Sequence, residues 1–172
     1  MKRRALPPSL FYAIAVAISV ADQAVKAWVT KALPLGETGT IALWPGVFHL
    51  THVQNRGAAF SMLEGKIGVI VAASVLISIG IVATERRAAG RLPRLYGTAL
   101  ALPLGGAIGN MIDRLRFGYV VDYLDFRLIH FPVFNVADSA ITIGIALMLL
   151  RSLFTDTKST PDQADQTPSE TP

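Results

Sequence analysis

The sequence contains no cysteine and few charged residues. Only 16% of its 172 residues are charged, whereas soluble domains carry roughly 25%. The absence of cysteine excludes disulfides, thiolate metal sites and a cysteine nucleophile. The shortage of charge, together with a hydrophobic fraction of 52% and a mean hydropathy of +0.46, argues against a soluble domain and indicates an integral membrane protein.

Long apolar segments take the place of the missing charge. Each has about 18–21 residues, which is enough to cross ~30 Å of hydrocarbon as a helix. The sequence therefore predicts an all-α membrane protein with four transmembrane helices, formed by residues of about 8–28, 67–84, 95–112 and 133–153. The membrane-embedded domain is expected to cover residues 1–154, and residues 155–172, rich in Thr, Pro, Asp and Gln, to form a disordered cytoplasmic tail.

The basic residues indicate the orientation of the helices. Nine Lys and Arg residues lie near the two termini and in the short link between the second and third segments, and six others lie in much longer loops. The positive-inside rule therefore places both termini in the cytoplasm. A cleavable signal peptide ending in "SVA" at 19–21 is the alternative for the first segment, but the apolar run continues to Trp28 and three more segments follow. The basic residues are not interleaved with aromatics, which argues against nucleic-acid binding.

The first outside loop, residues 29–66, is less polar than a linker. It is rich in Val, Phe, Thr and Trp and alternates in places, so we expect short strands that lie on the membrane surface. Trp28 and Trp44 suit the interfacial aromatic belt.

Polar residues are expected to converge at the outer ends of the predicted helices. Spacings of three or four residues place members of each pair on one helical face. These pairs are Asp22 with Lys26, which can form an ion pair, Asn110 with Arg114, and Asn135 with Asp138. Asn55 and Asp122 lie in the outside loops at the same level. Small residues around Gly106 would let neighbouring helices approach closely.

Asp122 and Asp138 are suited to form a catalytic pair. Two carboxylates that share a site hold one proton between them. The ionised member can take a proton from water, and the protonated member can polarise a carbonyl. An acid inside a membrane segment is costly and usually functional. Asp138 could instead be present because the positive end of the helix dipole stabilises a negative charge at a helix N-terminus.

Five motifs in order closely resemble those of bacterial lipoprotein signal peptidase, also called signal peptidase II. They are "DQAVK" at 22–26, "NRGAAF" at 55–60, "GGAIGNMIDR" at 105–114, "VVDY" at 120–123 and "FNVADSAI" at 134–141. The resemblance covers about residues 10–153. It implies four helices with a small extracytoplasmic β-cradle from the first outside loop. Tyr123 departs from the family, in which Phe is common at this position.

The resemblance also implies an activity and a set of site residues. The family removes the signal peptide from diacylglyceryl-modified prolipoproteins, just before the lipidated cysteine, at the inner membrane. Its two catalytic aspartates fall on Asp122 and Asp138, and its substrate-binding positions on Asn55, Asn110, Arg114, Asn135 and Ala137. Asp22, Lys26 and Gly106 are expected to be structural support, while Asp113 and Asp125 are expected to be solvated. We expect a monomer in the bilayer without a cofactor.

Other functions are less consistent with the sequence. His49, His52 and His130 suggest a metal site, but no H-E-x-x-H is present and the first two would face opposite sides of a strand. Ser61 or Ser139 with Lys66 suggests a serine–lysine protease, but the G-x-S-x-G elbow is missing. A small proton-coupled transporter would place its acids near the midplane rather than at the boundary. A non-catalytic lipoprotein-binding protein remains an alternative.

Overall fold

The protein is a bundle of long helices with a small sheet at one end. The computed structural model describes residues 5–57, 64–129 and 131–156. Four helices in this part of the chain are long and apolar enough to cross a membrane, namely α1 (Pro8–Ala32), α2 (Ile67–Ala88), α3 (Arg94–Phe117) and α4 (Val136–Asp156). The four predicted helices are confirmed. Helix α4 begins three residues later than predicted and continues into the predicted tail, whose remaining residues 157–172 lie outside the described residues.

Proline and glycine define several helix ends. Helix α1 begins at Pro8, a position where the missing N–H costs nothing. Helix α3 follows Pro93 and ends at Gly118, whose φ of 75° is the left-handed conformation that favours glycine. This C-terminal turn reverses the chain and leads directly into the strand that carries Asp122.

Helix α3 is the centre of the bundle and contacts α1, α2 and α4. Its glycines allow this close packing. A Cβ on Gly105 would lie 2.5 Å from the carbonyl oxygen of Ala15, and a Cβ on Gly106 would overlap the carbonyl oxygen of Ala137. The close approach expected around Gly106 is therefore present, and it involves both α1 and α4.

The sheet has three antiparallel strands in the order β1 (Gly36–Trp44), β2 (Phe48–Asn55) and β3 (Val120–Phe126). The strands predicted in the first outside loop are confirmed. The third strand comes from the second outside segment, so Asp122 lies on a strand and not in a loop, opposite Val53 of β2. The chain after β3 folds back, and Leu124 N–H donates to the Phe134 carbonyl at 2.7 Å. This return places the start of α4 beside β3.

Asp125 of β3 does not fit the prediction of a solvated acid. It is 7% exposed and accepts hydrogen bonds from Thr51 and Arg127, each at 2.7 Å. Arg127 also pairs with Glu37 of β1 at 2.7 Å. Asp125 is therefore part of a polar network that ties the strands together, and this network explains its burial.

The two ends of the bundle differ. Leu6 N–H donates to the Leu92 carbonyl at 2.8 Å, so the N-terminal segment lies at the same end as the basic link between α2 and α3. The sheet lies at the other end of the bundle, because its strands follow α1 and α3 and precede α2 and α4.

Candidate active site

Asp122 lies where β3 meets the start of α4. Its side chain is 1% exposed, and both carboxylate oxygens accept hydrogen bonds from amides. Asn135 Nδ2 donates to Oδ1 at 2.7 Å, and Asn55 Nδ2 donates to Oδ2 at 2.9 Å. Asn55 belongs to the neighbouring strand β2, so the sheet and the start of α4 together position this carboxylate.

Asp138 lies in the first turn of α4. Asn110 Nδ2 of α3 donates to its Oδ1 at 2.7 Å, and the backbone N–H of Asn135 donates to its Oδ2 at 3.2 Å. Asn135 therefore bonds both aspartates, one through its side chain and one through its backbone. The structure brings together the two acids that the sequence predicted as a pair.

The environment of Asp122 favours its protonated form. Burial is the main cause, and the nearby charge of Asp138 adds to it, so that the pKa of Asp122 rises from 3.8 to about 7. The hydrogen bonds from Asn55 and Asn135 act in the opposite direction. At neutral pH a pair of this kind can hold one proton, which is the state required for acid–base catalysis.

A buried ionic cluster lies beneath the two acids. Lys26 Nζ contacts Asp22 Oδ2 at 2.8 Å and Asp113 Oδ2 at 2.9 Å, and the three side chains are at most 3% exposed. The ion pair expected between Asp22 and Lys26 is confirmed. The expectation that Asp113 is solvated is wrong, because Asp113 turns inward to share the ammonium of Lys26. Its position three residues after Asn110, on the same face of α3, was the signal that could have identified it.

The two acids of this cluster also bind backbone N–H groups next to Asp122 and Asp138. Asp22 Oδ1 accepts from Ala137 N at 3.0 Å, beside Asp138. Asp113 Oδ2 accepts from Val121 N at 3.1 Å, beside Asp122. The cluster thus fixes the backbone positions from which both carboxylates extend. Sequence reasoning also missed Gln23, whose Nε2 donates to Asp113 Oδ1 at 2.8 Å.

Two of the predicted substrate-binding residues have distinct surroundings. Ala137 is fully buried, packs against Gly106 and has its N–H bound to Asp22. Its position corresponds to helix packing and not to a surface that a substrate can touch. Arg114 is half-buried, and its Nη2 donates to the Gly57 carbonyl at 3.0 Å, just after β2 ends.

The described residues of the alternative metal and serine–lysine sites do not form comparable clusters. Among the described residues, no group of three His, Asp or Glu side chains is placed to hold a metal ion. His49 Nε2 accepts a hydrogen bond from Gly46 N, and His52 Nδ1 lies 3.1 Å from the Leu33 carbonyl oxygen. Ser139 Oγ donates to the carbonyl of Asn135. His130 and Ser61 lie outside the described residues.

The fold and the site together indicate a membrane protein with a site for acid–base chemistry. The part of the chain that the structure describes has four helices long and apolar enough to cross a membrane, and the end of the bundle that carries the sheet holds a buried acid, Asp122, and a half-buried one, Asp138. Such a pair, surrounded by amide donors, is suited to general acid–base chemistry.

Comparisons with known proteins identify the family. The model of the signal peptidase II family matches residues 14–154. A lipoprotein signal peptidase from Synechocystis is 46% identical over 148 residues, which cover 84% of this chain and 88% of the relative. One from Brevibacillus brevis is 47% identical, covering 86% of this chain and 97% of the relative. A bacterial membrane enzyme solved in meso at 2.3 Å resolution superposes with a TM-score of 0.83 at 28% identity, over 96% of this chain and all of that one. The chain belongs to the signal peptidase II family.

Proposed function

We propose that this chain is an aspartic endopeptidase that removes the signal peptide from diacylglyceryl-modified prolipoproteins, cutting just before the lipidated cysteine. Family membership and the names of the relatives support the substrate class. The observation that carries the proposal is the pairing of Asp122 with Asp138 through Asn135, which bonds both carboxylates. No cofactor or metal is required by this chemistry.

The reaction follows from the shared proton. The ionised carboxylate takes a proton from a water molecule, whose oxygen forms a bond to the scissile carbonyl carbon. The protonated carboxyl polarises the carbonyl oxygen and stabilises the tetrahedral intermediate. A carboxyl group of the pair then gives a proton to the nitrogen of the cysteine that follows the cleavage site, and the C–N bond breaks. The products are the carboxylate of the signal peptide and the free amine of the lipidated cysteine.

The surrounding polar residues have separate roles in this reaction. The side-chain amides of Asn55, Asn110 and Asn135 each donate to a catalytic carboxylate, so we assign them to holding the pair. Arg114 is half-buried between α3 and the end of β2, and it is the cationic donor placed to orient carbonyls of the substrate backbone.

The location of the site supports a peptidase over a transporter. Asp122 lies on a strand outside the helices, and Asp138 lies in the first turn of α4. A substrate anchored by its acyl chains would present its scissile bond at this boundary. With the basic link and the N-terminal segment on the cytoplasmic side, the site faces the outer leaflet of the bacterial inner membrane. Both termini are then cytoplasmic. One chain supplies all these residues, so we propose that a monomer is active.

A cleavage assay tests the proposal. Purified protein in detergent receives a diacylglyceryl-modified prolipoprotein, and the size shift is followed on a gel. Asp122→Asn and Asp138→Asn should each lower turnover at least about a hundredfold, because each removes an acid–base group. Asp125→Asn is the control, since Asp125 is also a buried acid of β3 but bonds Thr51 and Arg127. If a folded Asp122 or Asp138 variant keeps near-native turnover, the mechanism is wrong. An inert native protein would favour the binding or transport alternatives.

A further inference from the structure

Lys26 uses all the hydrogen-bonding capacity of its ammonium group. A lysine ammonium has three N–H donors and no acceptor. Its three partners are Asp22 Oδ2 at 2.8 Å, Asp113 Oδ2 at 2.9 Å and Asn110 Oδ1 at 2.8 Å. The contact with Asn110 connects this buried cluster to the catalytic pair, because Asn110 also bonds Asp138.

The ammonium of Lys26 determines which way the Asn110 amide faces. A side-chain amide has an acceptor on one side and two donors on the other, so it can turn over in a symmetrical environment. Lys26 can only donate, which requires Oδ1 of Asn110 to face it and Nδ2 to face Asp138. Reversal would place N–H groups against the ammonium and an oxygen against the carboxylate, which are two repulsive contacts. Asn135 Nδ2 at 3.1 Å from Asn110 Oδ1 favours the same orientation.

The positive charge of Lys26 does not by itself explain an effect on Asp138. The ammonium is accompanied by two buried acids, Asp22 and Asp113, so the cluster as a whole is not positive. The other charged groups around Asp138 are Asp122 of β3 and Arg114 of α3. Both acids accept hydrogen bonds from side-chain amides, and what distinguishes Asp138 is its place in the first turn of α4, where the helix N-terminus favours a negative charge.

We propose that Lys26 is a positioning residue for the peptidase reaction: it holds the Asn110 amide so that its N–H always donates to Asp138. This donor and the N-terminus of α4 together keep Asp138 ionised and leave the shared proton on Asp122. The inference rests on the proposed function and assigns the two acid–base roles within it. Asp138 then activates the water, and Asp122 polarises the carbonyl.

A pair of charge-matched variants separates this role from simple structural support. Lys26→Met alone would leave two buried acids without their cation, so each substitution is combined with Asp22→Asn. In this background Lys26→Met and Lys26→Gln introduce side chains of similar size and no charge. The glutamine amide can donate to Asn110 Oδ1, whereas the methionine thioether cannot. Asp22→Asn alone, which keeps Lys26 and its contact with Asn110, is the reference.

The measurements are kcat, KM and the pH dependence of kcat/KM on the lipidated prolipoprotein, with thermal unfolding in detergent as the folding check. The methionine double variant should lose at least about tenfold in kcat relative to Asp22→Asn, with KM within about twofold. The acidic limb of its pH profile should move to higher pH by about one unit, because the ionised carboxylate of Asp138 has lost a hydrogen-bond donor. The glutamine double variant should recover most of both properties.

Three outcomes would overturn the inference. A folded methionine double variant with the kcat and acidic limb of Asp22→Asn would show that Lys26 only supports the fold. If the methionine variant does not fold, a folded glutamine variant that lacks the activity of Asp22→Asn would show that a donor to Asn110 is not what Lys26 supplies. If the native protein does not cleave the lipidated substrate, the proposed function fails and the inference fails with it. The activity of the native protein therefore distinguishes the two failures.

Discussion

Asn135 and Asp138 cap each other at the start of α4. Asn135 Oδ1 accepts from the backbone N–H of Asp138 at 2.9 Å, and Asp138 Oδ2 accepts from the backbone N–H of Asn135 at 3.2 Å. This is the reciprocal arrangement of a capping box, with an aspartate in the position that glutamate usually takes. The hydrogen bonds that begin the helix therefore also fix the orientation of the carboxylate that we propose to be catalytic. The acid that looked anomalous in an apolar segment serves both purposes.

Substitution of Asn135 should separate its two roles. Asn135→Ala removes the cap, which costs about 1 kcal/mol, and also the Nδ2 donor to Asp122. Asn135→Ser keeps an oxygen for the cap and loses that donor without adding charge to a fully buried position. We expect both variants to lose at least about a hundredfold in kcat, and the alanine variant, which lacks the cap, to unfold at the lower temperature of the two. Cleavage kinetics and thermal unfolding in detergent provide the measurements.

Ser139→Ala is the matched control for Asn135, because Ser139 lies in the same turn and its hydroxyl donates to the backbone carbonyl of Asn135. It should keep near-native kcat. An Asn135→Ser variant that cleaves at the native rate would contradict the role of the amide donor.

The elevated pKa of Asp122 predicts the alkaline limb of the activity profile. Catalysis needs a protonated acid, and Asp122 has a pKa of about 7, so kcat/KM should fall as the pH rises through this value. The Asn55 hydrogen bond lowers the pKa of Asp122. Asn55→Val should therefore raise that pKa and move the alkaline limb to higher pH. Gln54→Val, at the preceding residue of β2, should leave the limb in place, and an unmoved limb in Asn55→Val would refute the assignment.

The sequence was sufficient to predict the helices and most of the residues that the structure brings together around Asp122 and Asp138. Length and hydropathy located all four spans, because crossing hydrocarbon requires a long apolar helix whatever its partners are. Spacings of three and four residues identified the pairs Asn110 with Arg114 and Asn135 with Asp138, because helical geometry fixes which residues share a face. Local periodicity carries this information, so the prediction did not depend on tertiary contacts.

The features that were missed depend on contacts between distant segments. Asp113 and Asp125 lie close to Asp122 in the sequence, and nothing local distinguishes a solvated acid from a buried one. Asp113 is buried because Lys26 of α1 faces it, and Asp125 because Thr51 of β2 does. The strand β3 was taken for a loop because "VVDYLDF" is buried on both faces and lacks a clear alternation.

Arg114 is expected to act mainly on substrate binding. Its Nη2 donates to the Gly57 carbonyl, and Nη1 lies 3.4 Å from the Asn110 carbonyl, so the planar guanidinium contacts two segments at once. Lysine keeps the charge but cannot reproduce this fork. Arg114→Lys should raise KM about tenfold with a smaller change in kcat. Arg116→Lys is the control, because Arg116 is exposed and stacks on Phe117. Equal KM values for the two variants would argue against a substrate contact at Arg114.

Gly106 should be required for both stability and turnover, because α3 and α4 meet at this residue. A Cβ there would overlap the Ala137 carbonyl oxygen and lie 2.9 Å from Ile141 Cγ1, so Gly106→Ala must move the helices apart. Overpacking of this kind costs typically about 1–3 kcal/mol. The separation would also lengthen the hydrogen bond from Asn110 to Asp138, which lies one turn further along, so kcat should fall more than about tenfold.

Gly80→Ala is the matched control for Gly106→Ala in the same assays of thermal unfolding and cleavage. A Cβ on Gly80 of α2 has nothing within 4 Å, and alanine favours a helix over glycine by about 1 kcal/mol. This variant should be as stable as the native protein or more so, with unchanged turnover. Because both substitutions add one methyl group to a helical glycine, a difference between them isolates the contact between α3 and α4. If Gly106→Ala matched Gly80→Ala in stability and kcat, the close approach of these helices would not be what holds Asp138 in place.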